Sequence, residues 1–294
     1  MKNFFFGQIK LINKKNKINN FSVRWVIALK EEAKTIINHY ELRPVNENPL
    51  FPIFKNADET HWLVLSGIGR HNAAAATSYL YSTSNVMQNT AWINIGIAGC
   101  GQGEYGDLCL VDKISNNCRQ SRYPTTKPRT HLPKMNLFTS DVPINDYSSQ
   151  ELIDMEGIAF YDIVSKFTSN ELICLMKVIS DGPENNIKSL NRDKIIDLIK
   201  SNINNIEEIV SYYEKLSQLD FLNNQKTYLF TQITSNWHFT VTQKYKLENL
   251  LRRIKFFLCD KNVLEIIKDC KKGNSVLNIL DLKIKQSEVD WSNS

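Results

Sequence analysis

The sequence lacks most of the spacings that would announce a particular chemistry. Its six cysteines, at positions 100, 109, 118, 174, 259 and 270, contain no CxxC pair. A zinc site needs tight pairs, and a disulfide scaffold needs denser cysteine in a shorter secreted chain, so the thiols read as buried or idle. Five histidines (39, 61, 71, 131 and 238) show no HxxxH or HExxH spacing, which leaves a histidine metal site unsupported. No apolar run approaches the roughly 18 residues of a membrane-spanning helix. Met1-Lys2-Asn3-Phe4-Phe5-Phe6 is followed at once by Gly7 and Gln8, too short an apolar run for a signal-peptide core. These absences predict a cytoplasmic protein with no membrane association. Net charge is also small: 36 basic against 31 acidic residues leave +5, which permits attraction to phosphate backbones without requiring it.

What is present is ordinary globular usage, 42% hydrophobic and 23% charged over 294 residues. At about 150 residues per domain, the length predicts one large domain or two modest ones. Residues 1–20, rich in lysine and asparagine, read as a mobile arm. An α/β domain is expected over 21–217 and a mostly helical extension over 218–294. The domain opens with the apolar run Val23–Leu29, a buried strand, and then Lys30–Tyr40, where Ala33, Ile36, Ile37 and Tyr40 fall at helical spacing. The unit repeats. A strand at His61–Ser66 turns through Gly67-Ile68-Gly69 into a helix at Arg70–Tyr81. A third strand ends at Gly96-Ile97-Ala98-Gly99, a fourth starts at Gly106, and another covers Leu172–Ile179. One long amphipathic helix is expected to carry Ile199, Ile203, Ile206, Val210 and Tyr213. Strands alternating with helices predict a mainly parallel mixed sheet covered on both faces. In the extension, Tyr228–Ile233 reads as a strand. Thr240 and Gln243 read as a capping box, a further helix spans about Asn262–Cys270, and Gly273 stops it.

Ligands of parallel α/β sheets gather beyond the carboxyl ends of the strands. The first strand delivers Glu31 and Glu32 there, and the second the Gly67–Gly69 turn. The third delivers Asn94 through Gly101, the Leu152-Ile153 run Asp154-Met155-Glu156, and the last strand Ser180-Asp181. Carboxylates from three separate stretches on one edge raise one another's pKa and cost stability unless a ligand or hydrogen bonds offset them. Each also has a plain structural reading. Asp181 suits the start of a Ser-Asp-Gly-Pro turn, Glu156 the first turn of a helix, and Glu31 and Glu32 a solvated surface. The Gly67–Gly69 turn suits a simple tight connection, and Ser149 suits a helix cap.

Taken in order, these segments resemble the nucleoside phosphorylase superfamily, most closely its methylthioadenosine/S-adenosylhomocysteine nucleosidase branch. The resemblance covers roughly residues 23–215. It rests on Ala28-Leu29-Lys30-Glu31-Glu32, Leu65-Ser66-Gly67-Ile68-Gly69-Arg70, Asn94-Ile95-Gly96-Ile97-Ala98-Gly99, Gly106-Asp107, Asp154-Met155-Glu156 and Val178-Ile179-Ser180-Asp181. It implies cleavage of the N-glycosidic bond of a purine nucleoside, with Asp181 donating a proton toward the purine N7 and Glu32 positioning or deprotonating water. It also implies that Glu156 accepts hydrogen bonds from the ribose hydroxyls and that Met155 packs on the sugar. Asp154, Gly67, Gly69, Ile97, Ala98, Gly99 and Ser180 would complete the substrate site, and Phe138 or Phe160 would stack on the base. Neither a metal nor an organic cofactor is implied, and a homo-oligomer is.

A phosphorylase must hold a phosphate dianion, normally with arginine and hydroxyl donors. Its relatives place an arginine before the third glycine turn and a serine within it, where this chain has Asn94 and Ile97. Water is therefore the favoured nucleophile, while Arg70, Arg119 and Arg122 keep phosphorolysis open. A nucleoside-binding or regulatory protein is the reading from another class. Residues 241–272 hold nine basic and four acidic residues, an excess equal to that of the whole chain. Such a surface allows a nucleic acid or an acidic protein partner, but more often it is simply solvated while the leucine stripe packs on the main domain.

Overall fold

The computed structural model describes residues 21–286 except 46–49, 88, 119, 125–127, 145, 149, 186–189, 225–227 and 255–259. For 220–224, 228, 260 and 261 it describes the backbone alone. The arm expected over residues 1–20 lies outside the described residues. The chain divides into two compact units after Phe221.

In the larger unit all five residues of Val23–Ile27 (β1) are buried, as befits a strand covered on both faces. Val23, Trp25 and Ile27 point into one core and Val26 into another. This two-residue alternation is how one strand serves two layers. Lys30–His39 (α1) follows directly, with Ala33 and Ile36 turned inward. Arg43–Pro44 (β2), Ile53–Lys55 (β3) and His61–Leu65 (β4) lead to Arg70–Thr83 (α2). In α2 only Ala73 and Ala76 of the four alanines are buried. Then come Ala91–Cys100 (β5), Leu108–Asn116 (β6), Ser121–Arg122 (β7), Lys134–Thr139 (β8) and Leu152–Asp154 (β9). Gly157–Val164 (α3), Ile173–Asp181 (β10), Arg192–Ser201 (α4) and Ile203–Asn224 (α5) follow.

The sheet is mixed. Parallel ladders join β4, β1, β5 and β10 in its centre. From β10 it continues antiparallel to β6, then parallel to β8 and β9, and β9 returns antiparallel to β5. Five strands therefore close on themselves at one side, while β3 and β2 fray antiparallel at the other. Residues of α1, α4 and α5 pack on one face of the sheet and those of α2 and α3 on the other. The α/β architecture expected from the sequence is the one observed.

Three local expectations are corrected. The single long helix is two, because Asn202 interrupts it and turns its amide to the carbonyls of Gly106 (2.8 Å) and Leu198 (3.0 Å). Tyr228–Ile233 is not a strand but the start of the helix Tyr228–Asn236 (α6). Leu229 and Ile233, four residues apart, are both buried in the core of the second unit, a helical spacing that a short apolar run conceals. Gly273 does not stop a helix but begins one, Gly273–Gln286 (α9). A side chain there would lie 2.5 Å from the carbonyl oxygen of His238, so glycine permits the close approach. The Thr240–Gln243 capping box is present and opens Val241–Ile254 (α7), which Asp260–Ile267 (α8) follows. Among the described residues no helix is long and apolar enough to cross a membrane.

Candidate active site

The carboxyl ends of β1, β4, β5 and β10 share one edge of the sheet because the ladders joining these strands are parallel. Strand β9 enters from the opposite direction. Its Ile153 pairs with Gly99, so Asp154, Met155 and Glu156 run back alongside the end of β5. A cavity of about 350 Å³ opens at this edge, with Glu32, Asp154, Glu156 and Asp181 all in its wall. Met155, Ile97, Ala98, Gly99 and Ser180 also line it, and much of the rest is aliphatic, including Leu29, Ile68, Pro143 and Ile144. Among the described residues, the lining contains no arginine, lysine or histidine.

Glu32 is 3% exposed and sits in the first turn of α1. Its two carboxylate oxygens accept from the backbone N–H groups of Leu29 (2.8 Å) and Ile97 (2.9 Å). Gly96 makes room for it, since a Cβ there would stand 2.8 Å from Glu32 Oε1. Burial pushes this carboxyl up to about 7, and the negative charge of Glu156 adds to the effect, while the two amides and Lys177 oppose it. The neighbouring Glu31 faces outward to Arg192, with Oε1 3.3 Å from Nε.

Glu156 stands just before α3 and is 8% exposed. Its oxygens accept from the N–H groups of Gly69 (2.6 Å) and Met155 (3.3 Å). Burial and then Asp154 raise its pKa. Gly69, at φ 101°, thus orients Glu156 through its backbone and does not itself line the cavity; nor does Gly67, at φ 77°. Asp154 accepts from Thr139 Oγ1 (2.7 Å) and from the N–H of Gly157 (2.8 Å), which ties the start of α3 to the sheet.

At the other end, the hydroxyls of Ser180 and Tyr147 both donate to Asp181. The Tyr147 contact, to Oδ2, is 2.5 Å. Gly99 accommodates both partners: a Cβ there would stand 2.7 Å from Asp181 Oδ2 and 2.8 Å from the Tyr147 ring. Burial, reinforced by the bond to Asp181, raises the Tyr147 pKa and keeps the phenol protonated.

The expected aromatic stack is corrected. Phe138 lies on β8, paired with Ile153, and is not in the cavity wall. Phe160 is buried in the core beneath α3. The aromatic residue beside Asp181 is Tyr147, which sequence reasoning missed because 141–151 carries no periodic signal. Lys177, also missed, is 2% exposed and places Nζ 2.8 Å from Asp154 Oδ2. The candidate phosphate ligands are engaged elsewhere: Arg70 binds Asp141 (Nη2–Oδ2 2.7 Å) and Arg122 binds Asp162 (Nε–Oδ1 2.6 Å). Arg119 lies outside the described residues. Among the described residues no group of three or more His, Cys, Asp and Glu is arranged to hold a metal ion.

No protein-family profile matches the sequence, and no curated protein matches it. Solved structures do match by fold. The 5′-methylthioadenosine nucleosidase of Arabidopsis thaliana superposes with a TM-score of 0.56 at 18% identity, over 67% of this chain and 98% of that one. The chain has the nucleosidase fold. The 5′-methylthioadenosine/S-adenosylhomocysteine nucleosidases of Helicobacter pylori, bound to butyl-thio-DADMe-Immucillin-A, and of Neisseria meningitidis, bound to methylthio-immucillin-A, give TM-scores of 0.51 and 0.50. Their identities are 12% and 16%, over 65% and 67% of this chain and 98% of each of theirs. A nucleosidase fold is thus spanned almost whole, and about a third of the chain lies beyond it.

Proposed function

We propose that the chain hydrolyses the N-glycosidic bond of a purine nucleoside or related metabolite, releasing free base and a ribose derivative. The observation that carries this reading is a cavity wall that has four carboxyl groups and, among the described residues, no cationic side chain. Such a wall repels a phosphate dianion and favours the positive charge that develops on the sugar carbon as the base departs. In this mechanism water attacks C1′ as the C1′–N9 bond breaks. The water's proton passes to Glu32, and the bonding pair leaves with the base. Asp181 gives its proton to the base at N7. A carboxyl that titrates near 7 suits Glu32 for this role, because it is substantially ionised at neutral pH and still basic enough to accept a proton. Glu156 has unused lone pairs on both oxygens to accept the ribose hydroxyls, and Met155 packs on the sugar face.

The test is release of free base from adenosine and 5′-substituted adenosines in phosphate-free buffer. Turnover unaffected by added phosphate supports hydrolysis. Turnover that appears only when phosphate is added identifies a phosphorylase and refutes it. The two hydroxyls already seated on Asp181 favour one other reading, a protein that binds nucleoside without cleaving it. Saturable binding without product would establish that instead.

A further inference from the structure

Lys177 is the one buried cation at the floor of this site among the described residues, and neither the fold nor the proposed chemistry assigns it a task. It interrupts the apolar run Leu175-Met176-Lys177-Val178-Ile179 in the middle of β10, where every residue is buried. A buried ammonium is costly unless it is paired. Its direct partner is Asp154 Oδ2 at 2.8 Å. Across the parallel ladder its neighbour is Gly96, the residue whose missing side chain leaves room for the Glu32 carboxylate. On the antiparallel side it pairs with Cys109, whose thiol burial pushes up to about 12 and so keeps neutral. The charged groups around it are therefore Asp154 from β9, Glu156 at the start of α3 and Glu32 from α1.

Building on the hydrolase reading, we propose that Lys177 is a positioning residue for the two glutamates of the cavity. It anchors Asp154 by an ion pair and lends its positive charge to Glu32 and Glu156, keeping Glu32 able to act as the base. It touches neither water nor nucleoside, since it is absent from the cavity wall. The electrostatics agree with the geometry. Burial alone would lower the lysine's pKa, yet Asp154, Glu156 and Glu32 outweigh it and raise the value, so the ammonium stays charged. In return, Lys177 lowers the proton affinity of both Glu32 and Glu156. Asp154 acts on Glu32 less strongly than Lys177 does. The effect of Lys177 on Glu32 therefore exceeds that of its ion-pair partner.

The test compares wild type with Lys177→Met, Lys177→Arg and the double variant Asp154→Asn/Lys177→Met. The double variant removes both buried charges together, so it keeps the test open if the single methionine variant fails to fold. Loss of a nearby opposite charge moves a carboxyl pKa by about one pH unit or more. In Lys177→Met the acidic limb of the pH–rate profile should therefore move about one unit upward, lowering the rate at pH 6 about tenfold, and in the double variant it should move upward by less, because a negative charge leaves with the positive one. Lys177→Arg should keep the limb in its wild-type place. A merely structural lysine would lower the rate at every pH without moving the limb, and that result overturns the proposal. So does a double variant whose limb coincides with wild type, since Lys177 would then serve Asp154 alone. The side-chain carboxyl of Glu32, read by ¹³C NMR and assigned through Glu32→Gln, should show the same upward move without any substrate. If no nucleoside is cleaved, this titration still decides the role of Lys177, while the hydrolase reading falls by itself.

Discussion

Replacing Glu32 with glutamine tests the electrostatics of the site without needing a substrate. Burial, seconded by the charge of Glu156, moves the folded-state pKa of this carboxyl from the ordinary 4.5 to about 7, against the pull of two amides and Lys177. Between those two pH values the folded protein holds a proton that the unfolded chain has released. Stability due to Glu32 must therefore fall as pH rises through this window, be lowest above about 7, and carry no penalty below 4.5. The displacement corresponds to about 3 kcal/mol across the window. Glutamine resembles the protonated form and does not titrate. It sets an amide NH₂ against the N–H of Leu29 or Ile97, at a cost of about 1–3 kcal/mol that is the same at every pH. The pH-dependent part is thus isolated by subtraction. Relative to wild type, Glu32→Gln should gain about 3 kcal/mol between pH 4.5 and pH 8. At a slope of about 2 kcal/mol per M this is a relative shift of about 1.5 M in the urea midpoint. Unfolding followed by tryptophan fluorescence reads it, because Trp25, Trp62 and Trp92 are all buried in the larger unit. A wild-type-minus-variant difference that stays flat with pH would refute the argument, for Glu32 would then titrate alike in the folded and unfolded chain.

Three further outcomes are expected. Asp181→Asn should lower kcat about 100-fold or more while leaving the unfolding midpoint within experimental error, because the amide cannot act as a proton donor; an unchanged rate removes Asp181 from that role. Glu156→Gln should raise KM for ribonucleosides about tenfold or more, and KM for 2′-deoxynucleosides less. If the two sugars are discriminated as before, Glu156 does not contact the ribose. Gly96→Ala places a methyl group 2.8 Å from Glu32 Oε1 and must push the carboxylate off the Ile97 amide. Activity should fall with the acidic limb of its profile displaced, and a wild-type profile would show that Glu32 can act from elsewhere.

How far the sequence foretells this site depends on how each residue is encoded. Glu32, Glu156 and Asp181 each follow a short apolar run closely, so strand periodicity alone sends them toward a strand end, and the structure brings them to one cavity. Lys177 is hidden by the opposite circumstance. It sits inside an apolar run, where a charged residue gives no sign of a partner until Asp154 arrives on a separate strand. Tyr147 is hidden because a segment without periodicity positions it, and only its bond to Asp181 reveals its place. Phe138 shows the converse error. It lies close in sequence to the cavity residues Val142, Pro143 and Ile144, but β8 pairs it with Ile153 and holds it outside the wall. Tyr228–Ile233 was ambiguous for a different reason, since a short apolar run fits either period until burial chooses between them. The glycines carry information of yet another kind. Gly96 and Gly99 look like a tight turn in the sequence, yet both belong to the extended strand β5. Each is small because a carboxylate occupies the volume where its side chain would be. The glycine pattern therefore records the positions of Glu32 and Asp181, from residues 64 and 82 places away in the chain.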